Sequence, residues 1–194
     1  MSYFDYPKLD SEFMFFLIPQ PIPFDTPFTT LLSSFHFTHS STGRKICYYG
    51  DIPYQYGDFH HAATPFKLNP HIFELKTIVN DMFRDIRFNS ALINYYPTSK
   101  STISLHSDNE CEIVDNSFIL TVSFGDARRL CFYNRFKKTH ICNVKLVNKS
   151  VLLFSRPSQS SFLHGILSQT GSSKTIGNNM GRISITFRHI KPLP

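Results

Sequence analysis

A mainly β fold, a sandwich or jelly roll backed by one helix, is the architecture this sequence predicts, and three observations predict it. The chain has 194 residues, 41% hydrophobic and 18% charged, with twenty Phe and nine Tyr. That composition matches one compact domain whose rings fill a core of ordinary size. One stretch carries helical periodicity. Everything after it breaks into short apolar runs separated by Ser, Asn, Lys and Gly turns, the signature of strands packed in layers.

In chain order, the first 30 residues hold five prolines between Pro7 and Pro27 and read as an irregular arm laid over the domain. Residues 1–42 are accordingly assigned to an N-terminal arm. The apolar run Phe13 to Ile18 follows the acids Asp5, Asp10 and Glu12 and ends at Pro19. It fits neither a signal peptide nor the roughly 20 residues of a membrane span, so it reads as core and the chain as cytoplasmic or nuclear. Asn69-Pro70 supplies a cap and a first-turn proline. Ile72, Leu75, Val79, Met82, Phe83 and Ile86 then recur at three- and four-residue steps, which predicts one amphipathic helix. Strands follow at 91–96, 102–106, 117–124, 129–134, 140–147, 150–154, 161–167 and 182–190. In the last, Arg182, Ser184, Thr186 and Arg188 share one face while Ile183, Ile185 and Phe187 take the other. A face with two guanidinium groups calls for an anion, unless it simply looks at water.

Cys47, Cys111, Cys131 and Cys142 form no CxxC pair, which favours free thiols in a reducing compartment over a zinc ribbon. The net charge of +6 conceals an asymmetry: residues 127–194 hold twelve of the twenty Lys and Arg and no Asp or Glu, so the two parts carry −6 and +12. An acid-free stretch with Arg128, Arg129, Arg135, Lys137, Lys138, Lys145 and Lys149 points to an anionic partner, nucleic acid ahead of membrane.

In LINYYPTSKSTISLHSDNE, residues 92–110, His106 and Asp108 lie two apart at the end of a strand and point the same way. With His164 from the later FLHGI strand they make two imidazoles and one carboxylate, a set that leaves open positions and suits Fe(II) better than structural zinc. An iron oxygenase needs electrons to cleave O2, and bound 2-oxoglutarate supplies them if its carboxylates are held. Arg182 and Arg188 offer bidentate pairing, and Asn94 with Tyr96 adds neutral hydrogen bonds. A metal site at a strand end is expected to rest on the sheet, so replacing His106 or Asp108 should leave the fold nearly intact.

The order Asn94-x-Tyr96, His106-x-Asp108-x-Glu110, VSFGDARRLCF at 122–132, PSQSSFLH at 157–164 and RISITFR at 182–188 resembles the AlkB family of Fe(II)/2-oxoglutarate-dependent nucleic-acid demethylases. GRKICYYGDIPYQY at 43–56 is similar to that family's nucleotide-recognition lid. The resemblance implies a double-stranded β-helix core over 67–194 with its helix, a lid over 43–66, iron on His106, Asp108 and His164, and 2-oxoglutarate on Asn94, Tyr96, Arg182 and Arg188. It implies that Glu110 faces the exocyclic group of the damaged base, that Tyr56 stacks on that base and that Tyr54 hydrogen-bonds near it. Arg44 in the lid, with Arg128, Arg135, Lys137 and Lys138, is a candidate contact to the strand. Thr98-Ser99 replaces the glycine that usually follows the Asn-x-Tyr turn, and Ser184 the usual Asn.

The implied activity is oxidative demethylation of 1-methyladenine and 3-methylcytosine in single-stranded RNA or DNA by a monomer, releasing formaldehyde, succinate and CO2. Alternatives are an oxygenase of the same fold acting on a protein or small molecule, and a non-catalytic nucleic-acid-binding or structural jelly roll. RNA against DNA stays open, as does a stand-alone enzyme against a domain of a larger, for example viral, polyprotein.

Overall fold

Strand alternation sends each strand's side chains to opposite faces, and both faces of the larger sheet are claimed. The computed structural model describes residues 15–18, 21–56, 59–83, 86–168 and 180–192. Seven strands form that sheet: β1 (Phe15–Ile18), β2 (Thr38–His39), β3 (Lys45–Gly50), β6 (Ser90–Tyr96), β8 (Phe118–Gly125), β11 (Val151–Ser155) and β13 (Arg182–Arg188), in spatial order β1-β11-β8-β13-β6-β3-β2. A second sheet is built from β7 (Ile103–His106), β9 (Arg128–Asn134), β10 (His140–Leu146) and β12 (Phe162–Ile166), ordered β10-β9-β12-β7. A hairpin of β4 (Tyr54–Tyr56) and β5 (Phe59–His61) stands apart from both. Neighbouring strands pair antiparallel in every sheet, the two-layer jelly roll read from the sequence.

One apolar cluster joins Ile93, Leu120, Val122, Ile183, Ile185 and Phe187 from the large sheet to Ile72, Leu75, Val79, Met82, Phe83 and Ile86. The helix α2 (Pro70–Met82) carries most of the latter set and lies against the sheet's outer face. A second cluster fills the space between the sheets, with Leu92, Ile119, Leu152 and Phe154 meeting Ile103, Leu130, Phe132, Val144 and Ile166. The alternative of a solvated face on β13 therefore fails: Arg182, Ser184, Thr186 and Arg188 are all buried, on the inter-sheet side.

The eight strands expected after the helix form within about two residues of their predicted ends. The arm is more ordered than its prolines imply, which corrects that reading over its described part. Residues 15–18 of the apolar run pair with β11 as the edge of the large sheet, and α1 (Phe28–Ser33) buries Leu31. Residues 1–14 lie outside the described residues. Within 43–66, β3 belongs to the large sheet, between β2 and β6, and buries Cys47 and Tyr49.

Asn69 starts α2 and fastens it. Its side-chain oxygen accepts from the backbone N–H groups of His71 and Ile72, two of the donors a helix start leaves without partners. Its amide donates to the Ser34 carbonyl at 2.9 Å and to the Tyr49 hydroxyl at 3.2 Å, tying the helix to α1's end and to β3. Asn69→Ala should cost about 2 to 3 kcal/mol, one cap plus buried hydrogen bonds. A fall in the denaturant midpoint with an unchanged slope would register it.

Candidate active site

His106 ends β7 and His164 sits mid-way along β12, and antiparallel pairing makes the two direct partners across the sheet. Their rings lie 4.4 Å apart between centroids. Gly165 permits this approach: a Cβ there would stand 2.9 Å from the Ile103 and Ser104 carbonyl oxygens. Asp108 follows two residues after His106, and one ligand atom from each of His106, Asp108 and His164 falls within a 4.8 Å group.

The surroundings fix how these atoms are presented. The Ser104 carbonyl lies 2.8 Å from His106 Nδ1, so that nitrogen carries the proton and Nε2 is left as the donor atom for a metal. His164 is buried, stacked on Phe154 with centroids 5.0 Å apart. Burial and the neighbouring His106 push its pKa down to about 3, so the imidazole is neutral and able to ligate. Asp108 is held twice: its backbone N–H donates to Gln159 Oε1 at 3.1 Å, and Arg188 Nη2 donates to its Oδ2 at 2.7 Å. Burial opposes ionisation of Asp108, but Arg188 and both histidines more than offset it and hold the carboxyl well below the usual range.

The cavity between the sheets is lined by the three residues above and by Asn94, Tyr96, Thr121, Thr186, Arg182 and Arg188, and encloses about 450 Å³ including its open mouth. At its far end Arg182 is fully buried, donating through Nη2 to Ser123 at 2.9 Å and Ser184 at 3.2 Å. Burial lowers its pKa to about 10, which leaves it cationic at neutral pH. Its Nη1 and Nε have no hydrogen-bond partner among the described residues. A buried cation with two unused donors at one end, and two imidazoles with a carboxylate at the other, fit a dicarboxylate bound beside a divalent iron. Asn94 is oriented for the same guest, because Arg44 Nη1 donates to its Oδ1 at 2.7 Å and so leaves the amide nitrogen as the group available to the cavity.

With that geometry in hand, comparison with known proteins decides the family. The family model of the 2OG-Fe(II) oxygenase superfamily matches residues 20–188. The chain belongs to the 2OG-Fe(II) oxygenase superfamily. Within it, the chain is similar to AlkB homologues. It is 27% identical over 161 residues to the alpha-ketoglutarate-dependent dioxygenase alkB homolog 3 of Mus musculus, covering 78% of this chain and 53% of that one. It is 24% identical over 192 residues to the DNA oxidative demethylase ALKBH2 of Mus musculus, covering 95% and 77%. It is 28% identical over 186 residues to the RNA replication polyprotein of Citrus leaf blotch virus, covering 91% of this chain and 9% of the polyprotein. The chain thus spans about half of alkB homolog 3 and a small part of the polyprotein. The solved structure of OsALKBH1 shares the fold, with a TM-score of 0.60 at 16% identity, covering 94% of this chain and all of that one.

The other residues singled out in the sequence are placed as follows. Glu110 stands beside Asp108, its Oε2 buried with no hydrogen-bond partner among the described residues. Tyr54 is buried, stacked on Tyr48 at 5.7 Å with the Arg188 guanidinium 5.6 Å from its ring. Tyr56 ends β4, and its side chain lies outside the described residues. Lys137 and Lys138 are exposed on the β9–β10 turn.

Three expectations need correction. Arg128 is no surface contact: it is buried and donates to the carbonyls of Thr98, Ser99, Ser101 and Leu167, closing the turn where the glycine is missing. Arg44 is likewise buried behind Asn94. Arg188 is paired with Asp108, so the site does not merely rest on the sheet. Sequence reasoning also missed Gln159, whose only signal was its place in PSQSSFLH. Removing Asp108 takes away the carboxylate to which buried Arg188 donates, so Asp108→Ala should cost the iron-free protein about 3 to 5 kcal/mol. His106→Ala, at the half-exposed mouth, should cost about 1 kcal/mol. Denaturant unfolding of the two metal-free variants checks the contrast, and equal midpoints would refute it.

Proposed function

We propose that this oxygenase removes methyl groups from ring nitrogens of nucleobases in single-stranded RNA or DNA, with 1-methyladenine and 3-methylcytosine as substrates. The observation that carries the proposal is Glu110. A carboxyl group half-buried next to Asp108, its pKa raised by burial and by that neighbour, needs a donor or a cation. Methylation at N1 of adenine or N3 of cytosine makes the base cationic and leaves an exocyclic amino donor. Such a base meets both needs at once.

In this reading His106, Asp108 and His164 hold the iron. Arg182, Asn94 and Tyr96 hold the far carboxylate of 2-oxoglutarate, and Arg188 fixes Asp108 at the metal end. Bound iron with 2-oxoglutarate and O2 supplies the oxidation of the methyl C–H bond, and the products are formaldehyde, succinate and CO2. The chain's own work is to orient the ligands, exclude water behind Phe154 and Phe132, and aim the base through Glu110. The methylated edge of a paired base is inside the duplex, so the substrate is a single strand or a flipped nucleotide. Relatives whose names record DNA oxidative demethylation match 78% and 95% of this chain, which supports the reading.

Formaldehyde and succinate release from methylated oligonucleotides tests it. Wild type should act on single strands carrying 1-methyladenine or 3-methylcytosine. Glu110→Gln should lose more turnover on these cationic bases than on neutral 3-methyluracil or 1-methylguanine, and equal loss on all four would sink the assignment. Arg182→Ala removes a charge-assisted pair worth roughly 1.5 to 3 kcal/mol. Its 2-oxoglutarate requirement should rise about tenfold or more, read from succinate formation against cosubstrate concentration.

A further inference from the structure

The turn between β9 and β10 reads Asn134-Arg135-Phe136-Lys137-Lys138 and is bonded throughout. Asn134 Oδ1 accepts from the backbone N–H groups of Phe136 at 3.0 Å and Lys137 at 2.8 Å. The Asn134 carbonyl accepts from Lys138, which takes a left-handed φ of 56°, and Asn134 N–H donates to the Thr139 carbonyl. A turn this well satisfied has one shape, and it holds the Phe136 ring in solvent at 76% exposure. Phenylalanine is a costly residue to display there, since it gains nothing from the core and adds nothing to the turn's hydrogen bonds.

The tip is also tied to the metal-binding loop. Arg135 N–H donates to the Ser161 carbonyl at 2.9 Å, and its guanidinium donates to Ser107 Oγ at 2.9 Å and to the Gln159 carbonyl at 3.4 Å. Ser107 lies between His106 and Asp108, and Gln159 is the residue that bonds the Asp108 backbone. Whatever Phe136 holds is therefore held in fixed register with the cavity mouth. Its exposed neighbours are Lys137 and Lys138, in a stretch from 127 to 194 that contains no acid.

We infer that Phe136 is a stacking platform for a nucleobase flanking the target nucleotide, with Lys137 and Lys138 beside it for the adjoining phosphates. An exposed ring among cations, on a rigid tip, matches the way single strands are held: bases offer π-faces whatever their identity, and the backbone follows the positive charge. Within the turn itself, residues 134–138, Phe136 is the one exposed large apolar side chain, and a single ring suits a base while being far too small for a protein interface. The inference rests on the nucleic-acid reading above and adds to it the residue that grips the strand outside the pocket.

The chain contains no tryptophan, so Phe136→Trp places a single reporter at the tip. Its fluorescence should be quenched on adding a short single-stranded DNA or RNA carrying bases, and not on adding the same backbone with abasic sites. Phe136→Ala should weaken binding of the base-bearing strand by about fivefold or more. It should leave the slope of affinity against salt unchanged, because no charge is lost. Wild-type and Phe136→Ala proteins should bind the abasic strand alike. Binding by wild type with no loss in Phe136→Ala and no quenching in Phe136→Trp overturns the platform and leaves the substrate class standing. Failure of the wild-type protein to bind either strand overturns the substrate class, and the platform with it.

Discussion

The buried pair between Arg188 and Asp108 is the interaction on which the rest of the structure depends. Its partners come from the last strand of the large sheet and from the loop after β7 in the small one, and both side chains are 4% exposed. The pair joins the two layers across their interior. Arg188 needs the carboxylate to be tolerable inside the protein, and the carboxylate needs Arg188 to stay ionised beside two imidazoles. Folding and ligand presentation are thus one requirement. Gln159 enforces it from a third direction by fixing the backbone of Asp108.

The same logic runs along the whole inner face of β13. Arg182 is set by Ser184, two residues along its own strand, and by Ser123, the registered partner of Ser184, while the ring of Tyr96 lies 5.4 Å from its guanidinium. Thr186 bonds Thr121 across the strands at 3.1 Å. A polar lane inside the apolar inter-sheet core would be unstable if left incomplete. Within it, Arg182 keeps donors without a hydrogen-bond partner among the described residues, beside the cavity it lines. Ser184, where relatives in the resemblance carry Asn, still serves as a partner for Arg182, so that departure keeps the arginine in place.

How much of this could be read from the chain depends on whether the information is periodic or relational. The helix from Asn69 and the eight later strands follow from spacing, and the candidate triad from the His106-x-Asp108 step at a strand end together with the motif position of His164. The edge strand at 15–18 could not be read, since the apolar run Phe13 to Ile18, ended by Pro19, carries no alternation and its residues 15–18 gain their place by pairing with β11. Nor could burial of charge. Arg128 and Arg135 look alike in an acid-free segment, yet one closes a turn inside the protein and the other braces a loop at the rim. Motif matching gives Arg188 a cosubstrate, and what it does not show is the carboxylate of Asp108 that the fold places on the same guanidinium.

His106 and Asp108 are supported in different currencies. Asp108 leans on one particular side chain, and no other residue type reproduces a planar fork at that depth. His106 leans on the main-chain oxygen of residue 104, which every amino acid possesses, and the side chain at 104 is exposed. Over generations of copying, position 104 is therefore free to drift while the ring above it stays aligned. Position 188 has no such freedom, and a lineage that loses its arginine must lose the aspartate too or abandon the fold.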